Sequence, residues 1–347
     1  MTRTIRYREA LSEGLVQAMD ADESIFVAGI SVNYSSHVFG TTKVAGERYP
    51  DRVLTTPASE NALTGICIGA AAMGKRPVLV HDRVDFSFLA MDMLINLAAK
   101  WRYMYGGNAG TVPVVTRAII GRGWGQGATH SQSLHSLFGH FPGLAVVMPA
   151  TSHAAKGLTV AALQADHPTI ILEHRSLFET TSPEDVPKGL YVTPIGKARV
   201  VRQGSDLTIV ATSYMVHEAM AAADVLAAHG VDVEVVDPQS IRPLDTATIL
   251  ASVRKTGRLL VADVSHELYG FASEIAAVAV EHAFDALKGP VRRLTLPDCP
   301  TPVAKSLEDA FYPKPSTIVG LVLSMLGRPI PDDLTGIDAA DEFKGPY

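Results

Sequence analysis

The feature that most constrains the fold is the alternation of short apolar segments with stretches of helical length. Strand-like segments lie at 24–29, 77–81, 112–120, 144–148 and 169–173, and helical ones at 5–20, 61–73, 87–104, 132–138 and 152–164. Continuous apolar strands are typical of sheets that are covered on both faces, and strands that alternate with helices form mainly parallel sheets. The sequence therefore predicts an α/β protein whose mainly parallel sheets are flanked by helices.

The alternation occurs twice, which predicts two domains. A stretch rich in Pro, Gly, Ser and acidic residues separates the two parts, and the chain of 347 residues, 47% of them hydrophobic, is long enough for two cores. The second part has strand-like segments at 206–212, 231–236 and 258–263 and helical ones at 214–229 and 246–253. We predict a first domain over 1–185, a linker over 186–203, a second domain over 204–326 and an extended tail over 327–347.

Composition excludes several classes of function. The net charge of -6, from 30 Lys and Arg against 36 Asp and Glu, gives no reason to expect nucleic acid or an anionic membrane as a partner. Cys67 and Cys299 are too few for a disulfide framework or a thiolate metal site. The charged N-terminus and the absence of a run of ~18 apolar residues argue against a secretory signal and a membrane span, so we expect a cytoplasmic protein.

Glu60 is the most informative single residue of the chain. It follows a strand-like segment and the Pro57 turn, and it opens a helix of very small residues over 62–73. A carboxyl group in this place can cap the helix by accepting amide hydrogens. It can also act as a buried acid, because a carboxylic acid shielded from water keeps its proton and can donate it to a ring nitrogen near neutral pH.

Two further sites follow strands. Phe86 comes just after the strand at 77–81, at the sheet edge where ligands of open α/β sheets bind, and an aromatic ring there either packs in the core or stacks on a flat heterocycle. His130 ends a loop that has four glycines within 121–127, and its imidazole can exchange a proton near pH 7. His135 and His140 are interpreted as structural, since intervals of five residues place them on different helix faces.

The glycine loop matches a dinucleotide-binding fingerprint poorly. No acidic residue lies about 20 positions further on to bind a ribose, so an NAD-dependent dehydrogenase is the last of the alternatives. The sequence also lacks a P-loop and the Gly-x-Ser-x-Gly elbow of hydrolases.

Six segments follow one another in a fixed order: Thr-Pro-Ala-Ser-Glu at 56–60, Asp-Phe at 85–86, Asn-Leu-Ala-Ala-Lys-Trp-Arg-Tyr at 96–103, Thr-His-Ser-Gln-Ser at 129–133, Pro-Gly-Leu at 142–144 and Lys-Thr-Gly-Arg at 255–258. Together they resemble the beta subunit of thiamine-diphosphate-dependent 2-oxo acid dehydrogenases, the decarboxylating first component, which belongs to the transketolase-like superfamily. The resemblance extends over roughly residues 4–326. It implies a pyrimidine-binding domain followed by a transketolase C-terminal-like domain.

The resemblance also implies roles for individual residues. Glu60 matches the glutamate that hydrogen-bonds N1′ of the cofactor's aminopyrimidine, and Phe86 matches the aromatic residue that stacks on that ring. Ala58, in the same segment as Glu60, is assigned to the cofactor site with them. His130 matches the histidine that faces the substrate, where it donates a proton or guides an acyl group to a lipoyl arm.

The same resemblance implies partners. In this family an alpha chain binds the cofactor's diphosphate through Mg²⁺, and the metal-binding Gly-Asp-Gly motif is absent from this sequence. We therefore expect an alpha partner in a heterotetramer of two alpha and two beta chains. A lipoyl-bearing acyltransferase is a possible further partner, and the expected substrate is a small 2-oxo acid.

Two positions depart from the family pattern. The chain has Ile30 and Ser31 where the family has Glu and Asp, acids that connect paired active sites, so this coupling is not expected here. His167 replaces an Asn near a structural potassium ion of many relatives, which leaves a K⁺ site open.

Two alternatives remain. One is a split transketolase-like subunit that transfers a two-carbon ketol unit between sugars and binds a sugar phosphate through Arg83, Arg117, Arg122 or Arg175. The other is a non-catalytic scaffold subunit.

Overall fold

The strands and helices alternate as the sequence predicts, in a computed structural model that describes residues 3–34, 36–122, 125–331, 334 and 337–338. Within these residues the strands are β1 (Ile25–Gly29), β2 (Val53–Thr55), β3 (Arg76–His81), β4 (Val115–Ile120), β5 (Ala145–Val147), β6 (Thr169–His174), β7 (Arg199–Arg202), β8 (Leu207–Ala211), β9 (Val233–Asp237), β10 (Ser240–Arg242), β11 (Leu259–His266) and β12 (Arg292–Leu296). The α-helices are α1 (Tyr7–Ala21), α2 (Lys43–Arg48), α3 (Glu60–Ala72), α4 (Trp101–Met104), α5 (His135–Gly139), α6 (Ser152–Gln164), α7 (Tyr214–Ala228), α8 (Thr246–Thr256), α9 (Phe271–Ala283), α10 (Lys305–Phe311) and α11 (Pro315–Met325).

The first sheet positions the candidate site. Among the described residues it contains seven strands in the order β10-β5-β6-β4-β3-β1-β2, and every neighbouring pair is parallel except β10 with β5. Successive side chains of β3 point to opposite faces, so Val78 and Val80 pack with α1 and α6 while Leu79 packs with α3. Parallel strands end at the same edge, and the segments after β2, β3 and β4 therefore meet there.

The second sheet packs against the first through a shared core. Its described strands have the order β12-β11-β8-β9-β7, parallel except for β7, which runs antiparallel to β9. Val146 and Ile170 of the first sheet belong to the same apolar cluster as Val235 and Val261 of the second. β10 follows β9 in the sequence but pairs with β5 of the first sheet. The predicted α/β class with two mainly parallel sheets is confirmed.

One predicted helix is irregular. The segment 87–104 does not form one α-helix: it consists of a 3₁₀ segment over Val84–Ala90, a π-helix over Asp92–Ala98 and the short α4. π-helical turns inside helices are frequent at functional sites. The prediction of a helix over 132–138 is also shifted, since α5 begins at His135, and His130 through Ser133 lie in the loop before it.

The predicted domain limits stay a prediction, and β7 lies inside the range 186–203 that we expected to be a linker. Most of the predicted tail over 327–347 lies outside the described residues. In the described part of the chain, no helix has the length and apolar character needed to cross a lipid bilayer.

Candidate active site

Glu60 lies at the carboxyl edge of the first sheet because β2 ends just before it. The Thr56 amide donates a hydrogen bond of 3.0 Å to the Gly29 carbonyl, which continues the pairing of β2 with β1 for one more residue. The chain then turns at Pro57, and α3 begins at Glu60. The Thr64 hydroxyl donates a 2.7 Å hydrogen bond to the Glu60 carbonyl, so the first turn of the helix is fixed.

Glu60 is 8% exposed, and its carboxyl group has no hydrogen-bond donor among the described residues. It therefore does not cap α3, and its neighbour Ser59, the N-cap residue, makes no side-chain capping bond either. The Glu60 oxygens are not among the fully enclosed polar atoms without a partner, so they reach the surface, where a ligand or a partner chain can bind them. The sequence prediction of a semi-buried acid agrees with this geometry, while the capping alternative does not.

Phe86 and His130 are brought into direct contact. Their ring centroids are 5.3 Å apart at an interplanar angle of 87°, an edge-to-face pair, and both side chains are half-buried. The Thr129 hydroxyl lies 2.9 Å from Nδ1 of His130. The Phe86 segment packs against α3, which begins at Glu60, and Ala58 is exposed in the turn before that helix.

A set of polar contacts ties the segment after β3 to the glycine loop after β4. Arg83, which is buried, donates a 2.9 Å hydrogen bond to the Gly121 carbonyl and another to the Gln126 side chain. Gln132 Nε2 donates to Asp85 Oδ1 at 2.7 Å, and the Gly121 amide donates to the Gln132 carbonyl at 3.1 Å. These contacts flank Phe86 on one segment and His130 on the other.

Sequence reasoning did not single out Asp85 and Gln132. Both stand inside segments that carried the resemblance, but neither was assigned a function. The position of Asp85 directly before Phe86 was the available signal, whereas its pairing with a residue 47 positions later is visible only in the tertiary structure.

His174 supports the start of the glycine loop. Burial lowers the pKa of His174 to about 3, so the ring is neutral. It stacks on Tyr214 with centroids 5.2 Å apart and contacts Gly121, where a β-carbon would lie 2.1 Å from its Nε2. Gly121 has φ of +74°, so both its backbone conformation and this close approach require glycine.

Several buried polar atoms near this edge have no hydrogen-bond partner among the described residues. Burial lowers the pKa of His81 to about 4 and raises the pKa of Asp82, which accepts a hydrogen bond from the Ser31 hydroxyl. An acid thus lies beside Ser31, although the family acids at positions 30 and 31 are absent. The unpaired atoms are Thr56 Oγ1, His81 Nε2, Asp82 Oδ1, Asp85 Oδ2 and Ser131 Oγ.

The arginines that were candidates for a sugar phosphate are mostly engaged elsewhere. Arg117 is buried in a bidentate ion pair with Glu173, with Nε to Oε1 at 2.5 Å and Nη2 to Oε2 at 3.0 Å. The buried Arg175 guanidinium lies 4.3 Å from the centroid of the Phe39 ring. Arg122 is half-buried and lies 4.9 Å from the centroid of the Tyr312 ring.

The described residues contain no cluster of three His, Cys, Asp or Glu side chains that could hold a metal ion. His135 forms a buried pair with Asp263, 2.9 Å from Nε2 to Oδ1, which supports its interpretation as structural. Shortly before His167 in the sequence, the carbonyls of Leu163 and Ala165 accept hydrogen bonds of 3.2 and 2.7 Å from Arg76. A cationic side chain therefore already binds these two oxygens.

Comparison with known proteins identifies the family. Residues 3–180 match the transketolase pyrimidine-binding domain, and residues 196–318 match the transketolase C-terminal domain. The chain is 39% identical over 328 residues to the acetoin:2,6-dichlorophenolindophenol oxidoreductase subunit beta of Cupriavidus necator, a match that covers 92% of this chain and 96% of that protein. It is 40% identical to the mitochondrial pyruvate dehydrogenase E1 component subunit beta-2 of Oryza sativa subsp. japonica, over 93% and 87% of the two chains.

The chain belongs to the beta subunits of thiamine-diphosphate-dependent 2-oxo acid dehydrogenases. The resemblance predicted from the six sequence segments is thereby confirmed. As a beta subunit, the chain is one part of a multi-subunit assembly that includes an alpha partner. Its fold is also that of a solved split gene transketolase, described as an inactive beta4 tetramer, with a TM-score of 0.75, 24% identity and coverage of 93% and 98% of the two chains.

Proposed function

We propose that this beta subunit decarboxylates a small 2-oxo acid together with its alpha chain, and that Glu60 is the acid that serves the cofactor. The observation that carries the proposal is that Glu60 is only 8% exposed, while its carboxyl group has no hydrogen-bond donor among the described residues. A carboxyl group that is free to meet a ligand at a ligand-binding edge is suited to exchange a proton with a ring nitrogen.

The other assigned residues fit the same cofactor. Phe86 presents a half-buried ring, which supports a flat heterocycle by stacking, and Ala58 is exposed beside Glu60, where it leaves room for a ligand. His130 touches Phe86, and an imidazole in this place can donate a proton to a substrate or accept one from it. Bound thiamine diphosphate supplies the nucleophilic carbon and the electron sink for loss of carbon dioxide, while the protein positions the substrate and moves protons.

We also propose that the alpha chain covers this edge and carries the Mg²⁺ that binds the diphosphate. Ile66, on α3, is 64% exposed, and Met73, the residue that follows α3, is 85% exposed. An interface whose partner chain is absent shows exposed apolar residues and buried polar atoms without hydrogen-bond partners. The expected assembly is a heterotetramer of two alpha and two beta chains.

The experiment is to reconstitute the chain with its alpha partner, thiamine diphosphate and Mg²⁺, and to measure decarboxylation with Glu60→Gln. We expect at least a ~10²-fold loss of kcat, because glutamine has the same shape but cannot exchange the proton. Glu47→Gln is the matched control, since Glu47 lies exposed on α2. Near-normal turnover of the Glu60→Gln complex would refute the assignment.

The substrate is tested in the same assay. Pyruvate represents the proposed 2-oxo acids, and acetoin is a second candidate because two relatives, from Cupriavidus necator and Bacillus subtilis, are named as acetoin oxidoreductase beta subunits. A ketose phosphate tests the transketolase-like alternative, which is weakened by the burial of Arg117 in an ion pair. Failure of thiamine diphosphate to bind the assembled complex in a calorimeter would favour the scaffold alternative.

Transfer to a lipoyl-bearing acyltransferase and a cytoplasmic location remain predictions. The first is tested by adding a lipoyl domain as acyl acceptor, and the second by fractionating cells that produce the chain. Binding of K⁺ also stays a prediction, tested by measuring the activity of the complex with and without potassium salts.

A further inference from the structure

We infer that Asp85 and Gln132 are positioning residues that hold His130 against Phe86. This inference rests on the proposed function, in which Phe86 contacts the cofactor and His130 the substrate. Asp85 directly precedes Phe86, and Gln132 lies two residues after His130, so a bond between them fixes the distance between the two functional side chains.

The pair links two irregular segments that come from different strands. Asp85 stands in the 3₁₀ segment after β3, and Gln132 stands in the loop between β4 and α5. Gln132 Nε2 donates to Asp85 Oδ1 at 2.7 Å, and the Gln132 carbonyl accepts from the Gly121 amide at 3.1 Å. Gln132 therefore binds both the Phe86 segment and the beginning of its own loop.

The 2.7 Å bond between Gln132 and Asp85 joins two segments that are 47 residues apart, so it restrains the loop beside His130. Arg83 strengthens the same connection, because it reaches from the Phe86 segment to the Gly121 carbonyl and to Gln126. The Phe86 and His130 rings, with centroids 5.3 Å apart, belong to the two segments that these hydrogen bonds join. Loss of the Asp85–Gln132 bond frees the loop beside His130 while Arg83 still anchors its start.

The second oxygen of Asp85, Oδ2, is buried without a hydrogen-bond partner among the described residues. A buried carboxyl oxygen without a hydrogen-bond partner lowers the stability of the fold, so a purely structural contact does not explain it. Its position directly before Phe86 fits a group selected for the geometry of the site.

The test uses the reconstituted complex of alpha and beta chains and reverses the polarity of the bond. Gln132→Glu places two carboxylates against each other, and we expect kcat to fall about 10²-fold with a smaller change in KM, since a misplacement of ~1 Å costs that much. Asp85→Asn alone keeps an acceptor oxygen, so we expect a loss below about 10-fold. The double variant Asp85→Asn with Gln132→Glu restores the bond with donor and acceptor exchanged, and its kcat should return to within about 5-fold of the wild type.

Asp232→Asn is the control, because it makes the same change at a carboxylate that accepts an exposed hydrogen bond from Ser205 near the second sheet. Normal kcat in Gln132→Glu would overturn the inference. So would a double variant that recovers its melting temperature but not its kcat, because the pair would then serve only stability. The Glu60→Gln complex, measured in parallel, separates the two proposals: if it is inactive while Gln132→Glu is normal, only the positioning role fails.

Discussion

Replacing Arg117 by methionine should destabilise the chain by about 3–5 kcal/mol, because it leaves the Glu173 carboxylate buried without its partner. The two side chains come from the neighbouring strands β4 and β6, and each is 1% exposed. Both oxygens of Glu173 accept hydrogen bonds from Arg117, at 2.5 and 3.0 Å. The single variant therefore loses two charge-assisted bonds and keeps the cost of a desolvated charge.

The double variant Arg117→Met with Glu173→Leu should recover most of this loss. When apolar residues of similar volume replace a buried ion pair, the free energy of unfolding often stays the same or rises by about 1–4 kcal/mol. Arg117 Nη1 has no hydrogen-bond partner among the described residues, so the pair is incompletely satisfied and is easily replaced by apolar packing. We expect the coupling between the two positions to be about 3 kcal/mol or more.

The assay is urea unfolding followed by circular dichroism, with the free energy of unfolding extrapolated to water. Arg202→Met serves as control: it breaks a 2.6 Å pair with Asp224, whose carboxylate is 75% exposed, and should cost below about 1 kcal/mol. A loss below about 1 kcal/mol for Arg117→Met would refute the reasoning from burial. A stable variant whose KM for a ketose phosphate rises would instead revive the role of Arg117 in binding a sugar phosphate.

The remaining predictions concern two other sites. Burial raises the pKa of Asp237 to about 7, so the folded state loses stability as the pH rises from about 4 through 7, by up to about 1.4 kcal/mol per pH unit. Asp237→Asn can still accept the 3.0 Å hydrogen bond from the Gln239 amide, so its melting temperature should exceed that of the wild type at pH 8. A wild-type melting temperature that is the same at pH 5 and at pH 8 would contradict this prediction. Gly121→Ala should lower the free energy of unfolding in urea by at least about 2 kcal/mol, since it adds a clash with His174 to the strain of a positive φ. Gly125→Ala is the control: it has a positive φ too, but its added β-carbon would lie no closer than 3.4 Å to another atom, so it should cost about 1 kcal/mol. Similar losses in the two variants would contradict the clash.

The fold class and the order of elements were predictable because they depend on local patterns. Apolar segments of strand length alternate with helical ones, and this alternation leads to parallel sheets whatever the details of packing. The irregular segment 84–98 was less predictable, because 3₁₀ and π turns differ from an α-helix by hydrogen bonds that the apolar periodicity does not reveal.

The sequence also placed Glu60, Phe86 and His130 after strands, and these strands end at the same sheet edge; the roles of the three residues stay a prediction. The sequence did not show the partners of these residues. The choice between capping and an unpaired acid for Glu60 depended on where its carboxyl group points, and that direction is fixed by the packing of α3.

The sequence by itself therefore determined the succession of strands and helices, the family and the residues that stand at the functional edge, because these follow from patterns between near neighbours and from ordered motifs. Tertiary structure alone decided which distant side chains meet: Gln132 with Asp85, Arg117 with Glu173, and β10 with the first sheet although it follows a strand of the second. Such contacts depend on how the crossovers place the strands side by side, and that order is set by the packing of the whole chain.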